Sequence, residues 1–454
     1  MAALEGRTIL GQIIHCLTPY DLQVINNGFV IVGDNGKILA VGEASNLQAE
    51  QKKLNFVGKE VITLGKTQLL LPGLVDAHIH APQYPNAGLG YDKPLLEWLD
   101  QYTYKLERRY SDQELCRRVF DAVVRKTLDH GTTTACYFGS LFHKSTLVLA
   151  NSVIKYGQRA FVGKINMTKL APDDYLETPQ QSIDNTLKFI EEVKALGNPL
   201  VQPIITPRFA LSVDMEHMKK LGAIAKEQNL RIQTHISENK SEVKMVGDLY
   251  HDSYTNVYNK ATLLTPKTVL AHGIFLSEEE MKLISKSGTS IAHCPESNVN
   301  LGSGICDVNE LRKHGINVGL GTDVAGGASP SIISAMKSAI SASTHLSFTK
   351  ENYTPLNYVD VFYLATLGGA KALALDDQIG NFQVGKSFDA IIVDLDVKSS
   401  SADYLSGSLS PQELLQKLVF LGDDRNVIKV KLLLYSLLSP PILDGVASII
   451  WKIM

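Results

Sequence analysis

Apolar positions follow two alternating patterns through the middle of the chain. Some segments have helical spacing, as in residues 183–193, where Ile183, Leu187 and Ile190 would share one apolar face. S-x-x-E pairs beginning at Ser111 and Ser277 indicate capping boxes at helix starts. Between the helical segments lie short apolar runs of strand length, and these are LVDAHIH, GTTTACYF, RAFVGKIN, VQPIITPRF, LRIQTHISE, TVLAHGIF, TSIAHCPES and NVGLGTDV. Eight strand-helix units predict a (β/α)8 TIM-like barrel, with a doubly wound open sheet as the competing fold.

The two ends of the chain have a different pattern, of short strands joined by turns. Residues 1–70 contain GFVIVGDNGKILAVG, in which Asp34-Asn35-Gly36 separates two apolar runs as a hairpin turn does. Residues 376–430 contain GNFQVGKSFDAIIVDL, where a Gly-rich turn precedes an apolar strand. We expect these two segments to form one small β-sandwich domain beside a catalytic barrel at residues 71–375.

Composition and charge narrow the class of protein. A hydrophobic content of 44% with 20% charged residues is ordinary for a soluble globular protein of 454 residues. The net charge of -3, without a basic run, argues against nucleic acid or an anionic membrane as the main partner. Five cysteines without CxxC spacing, and the absence of a secretory signal pattern at the N-terminus, favour reduced thiols and a cytosolic location.

Chemically capable side chains stand at the carboxyl ends of the predicted strands. In strand order they are His78 and His80, then Arg208 and Phe209, His235 and Glu238, His272, His293, and Asp323. The carboxyl ends of barrel strands share one rim, so these residues would converge, and this placement favours the barrel over the open sheet. Each residue taken singly has a structural alternative, such as a core histidine for His293 or a surface ion pair for Arg208.

The histidines and the aspartate predict a metal site. Because the side-chain period of a strand is two, His78 and His80 point to the same side. Neutral imidazoles with one carboxylate suit a divalent cation such as Zn²⁺. We therefore assign one zinc ion per chain to four ligands, which are His78, His80, His235 and Asp323. Lys164, on the third strand, leaves a two-metal site as the weaker alternative.

Taken together, the motifs resemble the guanine deaminase family of the metal-dependent amidohydrolase superfamily. They are LPGLVDAHIHAPQY, PLLEWL, GTTTACYF, QRAFVGK, TPRF, HISEN, AHG, IAHCPESN, GLGTDVAGG and LATLGGAKAL. The resemblance implies zinc-dependent hydrolysis of guanine to xanthine and ammonia in purine catabolism, by a homodimer. It implies guanine contacts from Gln83, Arg208 and Phe209. It also implies catalytic roles for Glu238 in proton transfer, and for His272 and Asp323 beside it.

The chain departs from this family after LGDDRN. Residues 431–454 form an atypical apolar tail, where the family would have a Gly-containing turn and another strand. The tail carries lysine and is cut by Pro440-Pro441, so it falls short of the roughly 20 uninterrupted apolar residues of a transmembrane helix. Two other functions stay open at this point. One is an amidohydrolase acting on a different aminated heterocycle, and the other is an inactive isoform with a scaffold role.

Overall fold

The computed structural model describes residues 4–404, 407 and 409–432. From residue 433 onward, the predicted apolar tail lies outside the described residues.

The strands supply two sheets. They are β1 (Leu4–Thr18), β2 (Asp21–Gly33), β3 (Ile38–Glu43), β4 (Phe56–Thr63), β5 (Gln68–Pro72), β6 (Leu74–His80), β7 (Thr132–Phe138), β8 (Arg159–Gly163), β9 (Ile165–Asn166), β10 (Val201–Pro207), β11 (Arg231–Ile236), β12 (Thr268–His272), β13 (Ser290–His293), β14 (Val318–Leu320), β15 (Asp389–Asp394) and β16 (Val427–Leu432).

The helices lie mainly between the strands of the second sheet. They are α1 (Leu47–Lys53), α2 (Leu95–Trp98), α3 (Tyr104–Glu107), α4 (Gln113–Asp129), α5 (His143–Tyr156), α6 (Pro179–Ala195), α7 (Met215–Glu227), α8 (Lys240–Tyr250), α9 (Tyr254–Lys260), α10 (Glu278–Ser287), α11 (Pro295–Asn300), α12 (Val308–Lys313), α13 (Ile332–Ser347), α14 (Tyr358–Tyr363), α15 (Gly369–Ala372) and α16 (Pro411–Leu421). A 3-10 segment at Ala81–Asn86 and a π-helical turn at Leu99–Thr103 border the site described below. No helix in the described part of the chain is both long and apolar enough to cross a lipid bilayer.

The small sheet joins the two ends of the chain, as the sequence predicts. Its strand order is β16-β15-β5-β1-β2-β3, with β4 paired to β1. β15, from the C-terminal segment, pairs antiparallel with β5, which directly precedes the first barrel strand. The predicted hairpin turn connects β2 to β3, and Gly36 adopts a φ of 74° that favours glycine.

The large sheet forms the predicted barrel. Its order is β14-β13-β12-β11-β10-β8-β7-β6, and neighbouring strands are parallel. The segment that follows β14 is hydrogen-bonded to the first strand, because Asp323 N donates to His78 O at 2.9 Å. The Asp76 carboxylate adds to this seam by accepting from Thr322 N at 3.1 Å and from Thr322 Oγ1 at 2.6 Å. The closure excludes the open sheet and brings the first and last strands of the site together.

Burial on both faces explains the apolar composition of the barrel strands. Every residue of β6 and β7 is buried, and helices such as α4 cover the outer face. Inside the barrel, Val75, Cys136, Phe161 and Ile204 pack in one cluster. A parallel sheet covered in this way favours apolar residues at consecutive positions, as in Val269, Leu270 and Ala271 of β12.

Two local predictions about helices are wrong. The helix after Ser111 begins one residue later than expected, because Asp112 is the N-cap and accepts from Glu114 N at 2.9 Å. In α6, Leu187 is 40% exposed, while Phe189 takes the buried position beside Ile190. The predicted capping box at Ser277 is confirmed.

Candidate active site

The candidate site lies at the carboxyl rim of the barrel, where several strands end in polar residues. His78 and His80 lie near the end of β6, and His272 is the last residue of β12. His272 and Asp323 have φ values of 75° and 46°, in the left-handed region that non-glycine residues rarely adopt. Such backbone conformations cluster at functional sites, because the surrounding structure must stabilise them.

The four predicted metal ligands are brought together. His78 Nε2 lies 3.2 Å from Asp323 Oδ1, and His80 Nε2 lies 3.4 Å from the same oxygen. His80 Nε2 and His235 Nε2 are 3.1 Å apart. Ligands placed about 2.0–2.1 Å from a zinc ion at tetrahedral angles stand roughly 3.3 Å apart, so this spacing fits a shared cation.

His272 lies beside this group. The ligand atoms of His78, His235, His272 and Asp323 also lie within 4.8 Å of one another, so His272 offers an alternative to His80. His272 Nε2 is 3.7 Å from Asp323 Oδ2, longer than the His80 contact. Either imidazole could therefore complete a set of metal ligands with His78, His235 and Asp323.

Buried nitrogens without hydrogen bonds also support a cation site. His78 Nε2 and His272 Nε2 are buried and have no hydrogen-bond partner among the described residues. A buried polar atom without a partner is costly, and a cation in this centre would compensate for it. On the outer side, His235 Nδ1 lies 2.6 Å from Arg208 O, the kind of contact that orients a metal-binding imidazole.

Electrostatics favour the protonation states that metal binding needs. Burial lowers the pKa of His78, and it holds the pKa values of His80 and His235 well below the usual range. These imidazoles are therefore neutral, with lone pairs available. Burial by itself would raise the pKa of Asp323. The hydrogen bond to His78 and the charge interactions with the surrounding histidines outweigh burial and hold the pKa of this carboxyl well below its usual range.

Glu238 is a second carboxylate with a different environment. It is 4% exposed, and burial raises its pKa to about 7. Glu238 Oε2 lies 3.4 Å from His272 Nε2, and Ser303 Oγ donates to Glu238 Oε1 at 3.3 Å. Burial alone would lower the pKa of His272, but the charges of Glu238 and Asp323 raise it. A carboxyl that titrates near neutrality is suited to accept and donate protons.

A pocket opens beside the histidines and Glu238. The space between its walls, including the part open to solvent, is about 440 Å³. The predicted substrate residues Gln83, Arg208 and Phe209 line it on one side. The apolar residues on its wall are Leu95, Trp98, Leu99 and Leu301. The pocket therefore places polar side chains, an aromatic ring and apolar walls next to Glu238 and the histidine cluster.

The site also contains residues that the sequence analysis missed. Glu107, 1% exposed, accepts hydrogen bonds from both Gln83 and Arg208. Asn298 Oδ1 lies 2.8 Å from His272 Nδ1 and fixes the orientation of that ring. In the sequence, Glu107 is close to Lys105, Arg108 and Arg109, and such a charged segment is typical of a solvent-exposed surface. Its three-residue spacing from buried Tyr104 and Tyr110 was the signal that it lies on the inner face.

Two other candidates from the sequence lie apart from the cluster. His293 is buried at the end of β13, and among the described residues its ring nitrogens are not in the group that could bind a metal. Lys164 is fully buried and forms an ion pair with Glu177.

Comparison with known proteins identifies the family. The profile of the amidohydrolase family matches residues 69–432. The chain is 45% identical to guanine deaminase of Mus musculus over 92% of its own length and 94% of the relative. The chain belongs to the amidohydrolase family, on its guanine deaminase branch.

Further relatives of this amidohydrolase include bacterial proteins. Guanine deaminase of Escherichia coli is 35% identical over 80% of this chain and 81% of the relative. A crystal structure of guanine deaminase from C. acetobutylicum, with bound guanine in the active site, superposes with a TM-score of 0.87 at 32% identity. That alignment covers 94% of this chain and 98% of the other. The amidohydrolase fold therefore agrees with the comparisons.

Proposed function

We propose that this amidohydrolase hydrolyses guanine to xanthine and ammonia. The observation that carries the proposal is the meeting of two sets of side chains in one buried pocket. Gln83, Arg208 and Phe209 line it beside the metal cluster and Glu238. Its similarity to guanine deaminases, including one with bound guanine, supports the same substrate.

We assign one zinc ion per chain to the cluster at the rim. The residues that would hold it are His78, His80, His235 and Asp323, whose ligand atoms have the spacing described above. When bound, zinc supplies Lewis acidity that makes water a nucleophile near neutral pH. The protein contributes the neutral imidazoles and the buried carboxylate that such an ion requires.

Recognition of guanine rests on complementary polar groups and a ring face. The Gln83 amide can donate to the O6 carbonyl of guanine and accept from N1–H. Arg208 adds a cationic donor, and the Phe209 ring offers a face on which a purine can stack. Adenine has an amine in place of O6 and lacks the N1 proton, so it would leave these groups unpaired.

We assign proton transfer to Glu238. Water adds to C2 of guanine, and Glu238 takes a proton from that water and passes it to ring N3. The same carboxylate then takes the remaining proton from the new C2 hydroxyl and delivers it to the amine, so that the C2–N bond breaks, ammonia leaves and the C2 carbonyl of xanthine forms. His272, 3.4 Å from Glu238, and Asp323 orient the reacting water and stabilise charge at C2.

We also propose that the protein acts in the cytosol. All five cysteines are free and buried, which is consistent with a reducing cytosol. Purine catabolism and a homodimer follow from the resemblance to guanine deaminases. The division into a barrel at residues 71–375 and a small domain from both chain ends is likewise our proposal for the domain boundaries.

The test is ammonia release from a panel of purines and pyrimidines, with bound metal measured on the same sample. We expect one zinc per chain, rapid ammonia release from guanine, and essentially none from adenine or cytosine. Activity on another aminated ring with none on guanine would replace the substrate. A metal-loaded chain that is inactive on the whole panel would favour a scaffold role.

A further inference from the structure

Glu107 is a carboxylate held behind the pocket by three side chains. Its Oε1 accepts from Gln83 Nε2 at 2.8 Å and from Arg208 Nη2 at 3.2 Å. Its Oε2 accepts from Arg208 Nη1 at 2.5 Å and from Tyr175 Oη at 3.0 Å. Gln83, Arg208 and Tyr175 are themselves almost fully buried. All of these hydrogen bonds therefore form away from water, where they are strongest.

These contacts decide which way the Gln83 amide faces. Because Nε2 points at the carboxylate, Oε1 is placed to accept from Ala325 N at 3.3 Å. A flipped amide would set its oxygen against the Glu107 carboxylate and its nitrogen against a backbone N–H. The observed orientation leaves one N–H and one oxygen lone pair of Gln83 for a ligand.

The Arg208 guanidinium is fixed by the same carboxylate. Two of its nitrogens bond to Glu107, and the ring of Tyr104 lies 5.1 Å from its central carbon. A guanidinium has five N–H donors in a rigid plane, so binding two of them sets the direction of the other three. Glu107 thus controls both polar groups that we assign to the guanine edge.

We propose that Glu107 is the positioning residue for purine selectivity, acting through Gln83 and Arg208. This inference rests on the proposed guanine hydrolysis and adds a residue to it. Glu107 belongs to the short helix α3, and its carboxylate spans two pocket residues that are 125 positions apart in sequence, Gln83 and Arg208.

The first test is Glu107→Gln, which keeps the size but loses the charge and presents an N–H₂ where a carboxylate oxygen accepted. We expect zinc content to be retained and KM for guanine to rise about 10- to 100-fold, the range for losing hydrogen bonds to a charged group. The fall in kcat should be smaller, because Glu238 and the metal ligands are untouched. A KM within about twofold of wild type would overturn the proposal.

Selectivity is read directly from competitive inhibition. Hypoxanthine carries O6 and N1–H, and unsubstituted purine carries neither, so the ratio of their inhibition constants measures recognition of this edge. We expect wild type to prefer hypoxanthine and Glu107→Gln to lose most of that preference. A preference that survives the substitution, or is missing from wild type, contradicts the proposal. If wild type releases no ammonia from guanine, the proposed function itself fails.

Two control variants separate positioning from general damage. Asp389→Asn removes the carboxylate from another buried arginine, since Arg159 Nε lies 3.2 Å from Asp389 Oδ2 outside the pocket. It should lower stability and leave KM and the inhibition ratio unchanged. If Glu107→Gln does not fold, Glu107→Asp keeps the charge with a shorter reach, and we expect it to fold and still raise KM about 10-fold. A normal KM in that variant would refute the role.

Discussion

Replacing Glu238 by glutamine is the most informative single change in the proposed mechanism. Glutamine keeps the size of the side chain and can keep the contact with Ser303 Oγ, which lies 3.3 Å from Glu238 Oε1. It has no ionisable proton. Burial raises the pKa of Glu238 to about 7, so near neutrality this carboxyl can both accept and donate a proton. The substitution removes that property and little else.

The expected loss follows from the size of general acid-base effects. Such groups contribute about 10²- to 10⁴-fold, which corresponds to roughly 3–5 kcal/mol of transition-state stabilisation. We expect kcat to fall by at least about 100-fold, with zinc content unchanged. The fall should be nearer the upper end if the same carboxyl serves N3 and the departing amine in turn.

The assay follows guanine loss and ammonia release by zinc-replete protein. Glu242→Gln is the matched control, because Glu242 is a second buried carboxylate four residues along the chain. Glu242 also lines the pocket, but it accepts from Glu238 N at 3.0 Å and from Tyr254 Oη at 2.6 Å, so we expect it to support the loop. We expect that variant to lose stability more than turnover. Near-normal kcat in zinc-replete Glu238→Gln would move the proton role to His272 or Asp323.

Three further predictions test other parts of the account. His235→Ala should lose most of its zinc, because three remaining ligands bind a divalent cation far less well, and unchanged zinc by elemental analysis would contradict the ligand set. Arg208→Ala should lose guanine activity and keep zinc, whereas full activity would remove the substrate assignment. Burial lowers the pKa of His217 to about 4, and neither ring nitrogen has a hydrogen bond within the described residues. Between the ordinary pKa of histidine and about pH 4, the unfolded chain therefore binds more protons at His217 than the folded protein does. The free energy of unfolding should fall by about 2 kcal/mol from pH 7 to pH 5. His217→Phe should lose that part of the pH dependence in denaturant titrations, and identical dependence in both proteins would refute it.

The barrel could be predicted from the sequence because its strands are buried on both faces. That burial favours consecutive apolar residues, and β12 with TVLAH is an example in which all five residues are buried. The histidines could be placed at one rim because parallel barrel strands end on the same side. The positions of these histidines depend on the backbone topology, and the alternation of strands and helices along the sequence specifies that topology.

Contacts that depend on side-chain packing could not be predicted in the same way. Glu107 lies in a charged segment, and nothing local shows that Gln83 and Arg208 reach it from distant parts of the chain. The choice between His80 and His272 as a metal ligand depends on distances to the Asp323 carboxylate that differ by tenths of an ångström. The prediction that Leu187 is buried was wrong for a related reason. Helical spacing predicts which residues share one face of a helix, but tertiary packing decides which part of that face is buried.

Guanine hydrolysis can be measured as the product balance of the purified, zinc-replete chain incubated with guanine. The account predicts that xanthine and ammonia appear in equal amounts as guanine disappears, that removal of the metal by a chelator stops the reaction, and that zinc restores it. Guanine that stays intact with zinc-replete, folded protein would contradict the account. So would guanine loss that is unaffected by complete removal of the metal.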